Sequence, residues 1–203
     1  MIKSFLLTIL KFLLPEVYKR RRVNQPIFLK HYVMQKILFF NSSCYWPVDW
    51  RSTVIGSKYI LVGIGSAPGY SFGCYIVASE KSPITIGNYT IIAPNVILPG
   101  RNHNVYNYRQ HEDGGINIGN YCWIGANSVI LPNVMLGDHV VVGAGSVVTK
   151  SFENGHVIIA GNPAKIIKYL NKSKCAEIKD QYQYHGYIKK ENFNSYRKKN
   201  LKI

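Results

Sequence analysis

IGNYCWIGANSVILPNVMLGDHVVVGAGSVVTK, residues 118–150, decides the fold. An aliphatic residue falls at Ile118, Ile124, Ile130, Leu136, Val142 and Val148, every sixth position without a slip, and Gly119, Gly125, Gly137 and Gly143 follow four of the six. Six is not a multiple of the helical period, but a short strand plus a tight turn fits into six residues. The chain can therefore coil as a parallel β-helix with three such strands per turn. Each aliphatic residue then points inward and stacks on its counterpart one coil away. The residue after it sits at a crowded corner that favours a small side chain, with Pro132 and Thr149 as departures.

The register extends upstream through Ile86-Gly87, Ile92-Ala93 and Leu98, then breaks between Pro99 and Asn117. Leu98 to Ile118 is twenty residues, against eighteen for a full coil. Such a coil must extrude a loop, and loops on a rigid scaffold are where chemistry concentrates. Val54, Ile60 and Ile64-Gly65 read as an earlier, irregular coil interrupted by the turn-rich stretch Ser66 to Gly73.

A chain of 203 residues can bury a core without disulfides. The cysteines at 44, 74, 122 and 175 show no paired metal spacing, and Cys122 reads as a small apolar filler in a regular coil. Reduced thiols and a cytoplasmic setting, peripheral to the inner face of the membrane in one reading, are expected.

Net charge is +15, and it is concentrated at the ends: +7 over residues 1–40, zero over 41–160 and +8 over 161–203. No helix-turn-helix, zinc-finger or RNA-recognition pattern accompanies the basic residues, so no nucleic-acid partner is expected. Anionic lipid, a phosphorylated carrier or the phosphates of a nucleotide cofactor suit the charge better.

Residues 2–14 are mostly apolar, with Ser4, Thr8 and Lys11 at helical spacing before Pro15 and the KRRR cluster. The run falls short of the roughly 20 apolar residues that span a bilayer. It also lacks a small-x-small cleavage site, and Lys11 interrupts it. Two readings stand: a helix that covers the open end of the coil, whose strand edges need covering, or a peripheral membrane contact through the basic terminus. At the other end AGNPAKIIKYL, residues 160–170, leaves the coil at Pro163 and predicts a short capping helix from about Ala164, followed by a Lys-, Tyr- and Asn-rich tail.

These motifs together resemble the hexapeptide-repeat acyltransferases, the left-handed β-helix superfamily that transfers acetyl groups from acetyl-CoA. The resemblance covers roughly residues 50–170, and within the superfamily it points to the sugar O-acetyltransferases of capsule, exopolysaccharide and O-antigen synthesis. It implies an all-β core: a left-handed parallel β-helix over 51–160 with an extruded loop at 99–117, an N-terminal helical basic segment over 1–50, and a C-terminal helix and basic tail over 161–203. It implies His103, at the start of the loop, as catalytic base. Trp123, Ala126, Ala144, Thr149, Lys150, Lys165 and Lys168 match positions that hold acetyl-CoA in relatives. It also implies a homotrimer with each site between neighbouring chains. Galactoside and maltose acetyltransferases hold the acceptor with an Asn where this chain offers Ser71 or Gly73, so Ser71, and His111 in the loop, are the acceptor-binding candidates.

The chemistry agrees with these residue types. A sugar hydroxyl is a poor nucleophile at neutral pH, and attack on a thioester needs a base such as a near-neutral imidazole. Backbone N–H groups at the corners can stabilise the oxyanion. Gly69-Tyr70-Ser71-Phe72-Gly73 has the Gly-x-Ser-x-Gly spacing but lies in the turn-rich break of an irregular coil rather than on a strand-to-helix turn, so direct transfer is favoured over a covalent enzyme intermediate. No metal is expected to take part. A carbohydrate acceptor, free or lipid-linked, is the favoured substrate; an amino sugar, serine or an antibiotic are the alternative acceptors. The non-enzymatic alternative is a β-helix with a binding or structural role.

Overall fold

The computed structural model of the protein describes residues 26–203. The segment 2–14 and the KRRR cluster lie outside the described residues. Most of the described chain winds as a three-faced prism of parallel strands. The first face holds β1 (Thr53–Ile55), β3 (Tyr75–Val77), β6 (Ile97–Pro99), β11 (Val129–Ile130) and β14 (Val147–Val148). The second holds β2 (Ile60–Val62), β4 (Ile84–Ile86), β9 (Ile116–Ile118) and β12 (Val134–Leu136). The third holds β5 (Ile91–Ile92), β10 (Trp123–Ile124), β13 (Val140–Val142), β15 (Val157–Gly161) and β16 (Ala164–Tyr169).

The six-residue repeat sets this geometry. Ile118, Ile124, Ile130, Leu136, Val142 and Val148 are all at most 3% exposed, stacked along the prism axis. Burying each such side chain stabilises the coil by roughly 2 kcal/mol. In the regular coils partners lie 18 positions apart, as in Trp123 with Val141 and Val129 with Val147. Across the break the spacing is 32, as in Ile92 with Ile124. The insertion is therefore fourteen residues, not the two suggested by counting Leu98 to Ile118 as one coil. Leu98 belongs to the first face and Ile118 to the next, so they should be six apart. The side-chain period reports inward positions but does not label the face.

Crowding at the corners is visible between the second and third faces. A Cβ on Gly87 would lie 2.5 Å from the Gly119 carbonyl carbon, and one on Gly119 would lie 2.6 Å from that of Gly137. Close stacking of backbone on backbone, not a left-handed φ, excludes side chains there. Two residues further along, Tyr89, Tyr121 and His139 do take left-handed φ values of 53°, 55° and 55° and stack as an aromatic ladder, with centroids 5.7 and 4.9 Å apart. Cys122 is buried in this coil, its Sγ 3.2 Å from the Gly137 carbonyl, and burial pushes its thiol up to about 11. It is an inert filler, not a nucleophile.

The helix expected from Ala164 is replaced by a strand. Residues 164–169 fold back antiparallel on β15, from Gly161 opposite Ala164 to Val157 opposite Tyr169. An isolated six-residue helix is too short to nucleate well, whereas the open edge of β15 supplies ready hydrogen-bond partners for a segment containing Ile166 and Ile167. The C-terminal helix lies further on, at Lys190–Asn200 (α2), and it does not cap the far end. Residues 171–183 return along the aromatic ladder, where the Tyr89 hydroxyl accepts from the Asp180 N–H at 3.0 Å. The hairpin β17 (Tyr184–His185) and β18 (Ile188–Lys189) then delivers α2 to the first coil, where Phe193 packs against Tyr45.

That first coil is irregular, as the turn-rich stretch from Ser66 suggests, with no third-face strand between β2 and β3. The segment before it covers its end. A short helix α1 (Leu29–Tyr32) runs on into a π-helical turn, Val33–Ile37, which delivers the fully buried Gln35. Its amide donates to the carbonyls of Asn41 and Trp46 at 3.0 and 2.9 Å, and its oxygen accepts from the Tyr187 hydroxyl at 2.7 Å. His31 is buried beside Tyr70, and burial, reinforced by Lys30, pulls its pKa down to about 4. The fold therefore holds His31 neutral, and the stability this gives is complete above pH 6.5 and is lost as pH falls towards 4. On the order of 3 kcal/mol is at stake. Denaturant titrations should show wild type losing stability over that window more steeply than His31→Phe; parallel curves would place the acid sensitivity elsewhere.

Candidate active site

The fourteen-residue insertion forms a β-hairpin of β7 (Arg101–His103) and β8 (His111–Asp113) that leaves the edge between the first and second faces. Its base is pinned to the coil. Gly115 N–H donates to the Gly100 carbonyl at 2.9 Å, and the buried Ser82 hydroxyl donates to Asp113 at 2.8 Å. Asn104 organises the tip by accepting from the N–H groups of Tyr106 and Asn107 at 2.9 and 2.8 Å while donating to Glu112 at 2.7 Å. Side chains compete well with backbone partners in such turns. The tip stands in solvent, with Tyr106 96% exposed.

His103 lies directly across the hairpin from His111, ring centroids 4.6 Å apart. Its Nδ1 is 2.6 Å from the Tyr108 carbonyl oxygen. A carbonyl can only accept, so Nδ1 carries the hydrogen and, in the neutral ring, Nε2 carries the lone pair. The nearby carboxylates of Glu112 and Asp113 are engaged with Asn104 and Ser82 and do not hold the imidazole. The orienting group is a main-chain carbonyl. No residue type in the sequence marks it, and only the tightness of the loop between His103 and His111 could have hinted at it.

The remaining candidates fall into two groups. Thr149 and Lys150 follow β14 on the same edge as the hairpin, where Asn133 N–H donates to Gly115 and the Ser151 hydroxyl to Asn133, linking that edge coil to coil. Trp123 projects from the third face, 56% exposed, in a row with Val141, Ile158 and Lys168. Ala126 and Ala144 occupy the corner where the third face turns into the first, with Gly145 N–H donating to the Ala126 carbonyl at 2.8 Å, and Lys165 pairs with Ala160 beside that corner. The third face is the one opposite the hairpin edge. One chain therefore brings His103, His111, Thr149 and Lys150 to one side and Trp123, Ala126, Ala144, Lys165 and Lys168 to the other. Ser71 belongs to neither group; its hydroxyl donates to the Ile92 carbonyl of the next coil at 2.9 Å. Among the described residues no three His, Cys, Asp or Glu side chains are grouped to hold a metal.

With this geometry in view, known proteins give the frame. Residues 115–150 match the bacterial transferase hexapeptide (six repeats) family. Over 92 residues the chain is 51% identical to a putative acetyltransferase of Dictyostelium discoideum, covering 43% of this chain and 48% of the relative. Over 110 residues it is 36% identical to the putative lipopolysaccharide biosynthesis O-acetyl transferase WbbJ of Escherichia coli, covering 48% and 56%. The chain thus spans about half the length of these curated relatives. A longer match runs to the putative acetyltransferase YvoF of Bacillus subtilis, 39% identical over 142 residues, 69% of this chain and 78% of that one. This chain belongs to the hexapeptide-repeat acyltransferase family. Its fold also matches the solved structure of a galactoside acetyltransferase in complex with coenzyme A, with a TM-score of 0.55, 24% identity and coverage of 84% of each chain. Among the described residues the hairpin is the largest interruption of the coil.

Proposed function

We propose that the protein is an acetyl-CoA-dependent O-acetyltransferase that acylates a carbohydrate hydroxyl in surface-polysaccharide synthesis, working as a homotrimer of left-handed coils with its sites between neighbours. The observation that carries the reading is His103: an imidazole whose Nδ1–H is held by the Tyr108 carbonyl, leaving Nε2 as a free acceptor on an extruded hairpin. The relative WbbJ is named for lipopolysaccharide biosynthesis, and another, 38% identical over 93 residues, is the galactoside O-acetyltransferase of Escherichia coli. Both names support a carbohydrate acceptor.

In this mechanism the acceptor hydroxyl attacks the thioester carbonyl while Nε2 of His103 takes its proton, a step worth about 10² to 10⁴ in rate. The oxyanion is held by backbone N–H donors, the C–S bond breaks, and the imidazolium returns the proton to the departing thiolate. The products are an acetyl ester and free coenzyme A. Residues with the character needed for the donor are present on the opposite side of the prism: an outward-facing indole, an exposed corner at Ala144, and the exposed amines of Lys165 and Lys168. The separation of this group from His103 within one chain supports a shared site, because packing the hairpin edge of one prism against the third face of the next unites them. The exposed Val105, Tyr106 and Tyr108 would be covered in the same step.

Acetyl-CoA consumption against a panel of sugars and lipid-linked glycans tests the activity. Turnover with none of them, or only with amines, would redirect the acceptor assignment. The donor site has its own test. If Lys165 or Lys168 reaches the 3′-phosphate, its replacement by Ala should weaken coenzyme A binding about tenfold more than dephospho-coenzyme A binding, since a charge-assisted contact is lost only from the former. Equal losses would move both amines away from that phosphate.

A further inference from the structure

The end of the prism formed by the first coil carries a surface unlike the rest. After the π-helical turn the chain reads Ile37-Leu38-Phe39-Phe40, and all four side chains are exposed, Phe39 by 71%. Phe40 lies 6.1 Å from the ring of Trp50, itself half exposed, and Arg51 spans from Trp50 to Phe72, 5.7 and 4.7 Å from their centroids. Five large apolar side chains from Ile37 to Trp50, extended through Arg51 to Phe72, make one continuous patch. Phe39 has a left-handed φ of 62°, a conformation that turns ordinarily give to glycine or asparagine. The turn does not explain the phenylalanine, and nor does the core.

The charge around the patch names its partner. Between Glu16 and Glu80 the sequence holds eight Lys and Arg residues and Asp49 as the sole acid. Asp49 is buried and ion-paired with Arg51 at 2.9 Å, so no exposed carboxylate faces outward from this segment. Lys30, Lys36 and Lys58 are exposed, and the KRRR cluster precedes the patch in sequence. Exposed apolar and aromatic side chains on a segment that also exposes amines and no carboxylate match the boundary of an anionic bilayer. There Trp and Phe enter the headgroup level while each basic residue contributes about 1 kcal/mol of attraction.

The geometry points to the Ile37–Phe40 turn with Trp50 as a membrane-docking surface that seats this end of the coil on anionic lipid. Among the described residues no helix is long and apolar enough to cross a membrane, so the contact is interfacial. Docking is separable from catalysis, since none of these residues belongs to the candidate active site. It would present the hairpin to acceptors held at the membrane surface, and that consequence alone rests on the function proposed above.

The test uses the full chain and vesicles of phosphatidylcholine and phosphatidylglycerol in a two-to-one ratio, with pure phosphatidylcholine alongside. Wild type should sediment with the mixed vesicles and at least about tenfold less with the neutral ones. Leu38→Asp combined with Phe39→Asp should reduce binding to the mixed vesicles about tenfold or more, while Phe39→Trp should retain it. Both variants alter exposed side chains, and an unchanged thermal midpoint verifies folding. Three results would each overturn the proposal: no binding of wild type; equal binding by the double Asp variant, which would place attachment in residues 1–25 alone; or a fall in oligomeric mass by light scattering in that variant, which would make the patch a subunit interface. Vesicle binding requires no turnover, so its outcome is independent of the acetyltransferase assignment.

Discussion

His103→Ala is expected to lower kcat by about 10² to 10⁴ while leaving acetyl-CoA affinity and the thermal midpoint close to wild type. The side chain is exposed on a hairpin whose base is held by Gly100, Gly115, Ser82 and Asp113, so its removal should not loosen the coil. His103→Asn separates two roles. An asparagine amide can still donate to the Tyr108 carbonyl but cannot accept a proton from the acceptor hydroxyl, so it should preserve the loop and remain as inactive as the Ala variant. Substantial turnover in His103→Asn would mean that the imidazole serves position rather than proton transfer. Near-normal turnover in both variants would remove His103 from the chemistry and direct attention to His111, whose ring lies 4.6 Å away.

The second large effect concerns the shared site. His103→Ala and Trp123→Ala homotrimers should each be strongly impaired, the first through lost chemistry and the second through a lost wall for the donor. If a site takes the hairpin from one chain and the third face from its neighbour, every mixed trimer keeps one of its three sites with both walls intact, and mixed trimers should recover about a third of wild-type activity. Co-purified mixed trimers carrying two tags, compared with unmixed controls, provide the measurement. No recovery in verified mixed trimers would mean that His103 and Trp123 act within one chain, against their placement on opposite sides of the prism. A monomer by light scattering at working concentration would end the shared-site reading as well.

Much of this was readable from the sequence because the coil is a local, repeating structure. One residue in six determines the inward position, and that period placed Ile118 through Val148 in the core and Gly119 and Gly137 at corners with no knowledge of the rest of the chain. The register break likewise placed an extrusion at His103. Non-local partners were not readable. Ala164–Tyr169 has the local character of a short helix, but the open edge of β15 decided for a strand, and an edge is a property of the assembled sheet. The return of the tail to the first coil depends on Asp180 meeting Tyr89 and Phe193 meeting Tyr45, pairs about 90 and 150 positions apart with no pattern linking them. The size of the insertion was misjudged for the same reason, since the repeat shows which residues point inward but only strand pairing shows which face each one is on.

The candidate site divides along the same line. The sequence by itself determined the coil, the extruded loop and the histidine at its start, because a six-residue period and its interruption are written in consecutive residues. Only the tertiary structure decided that a main-chain carbonyl at Tyr108 fixes the ring of His103, that Glu112 and Asp113 are engaged elsewhere, and that Trp123 faces away from the hairpin. Those are relations between directions in space, and a repeat that is identical on three faces does not distinguish them until the chain has closed its turns.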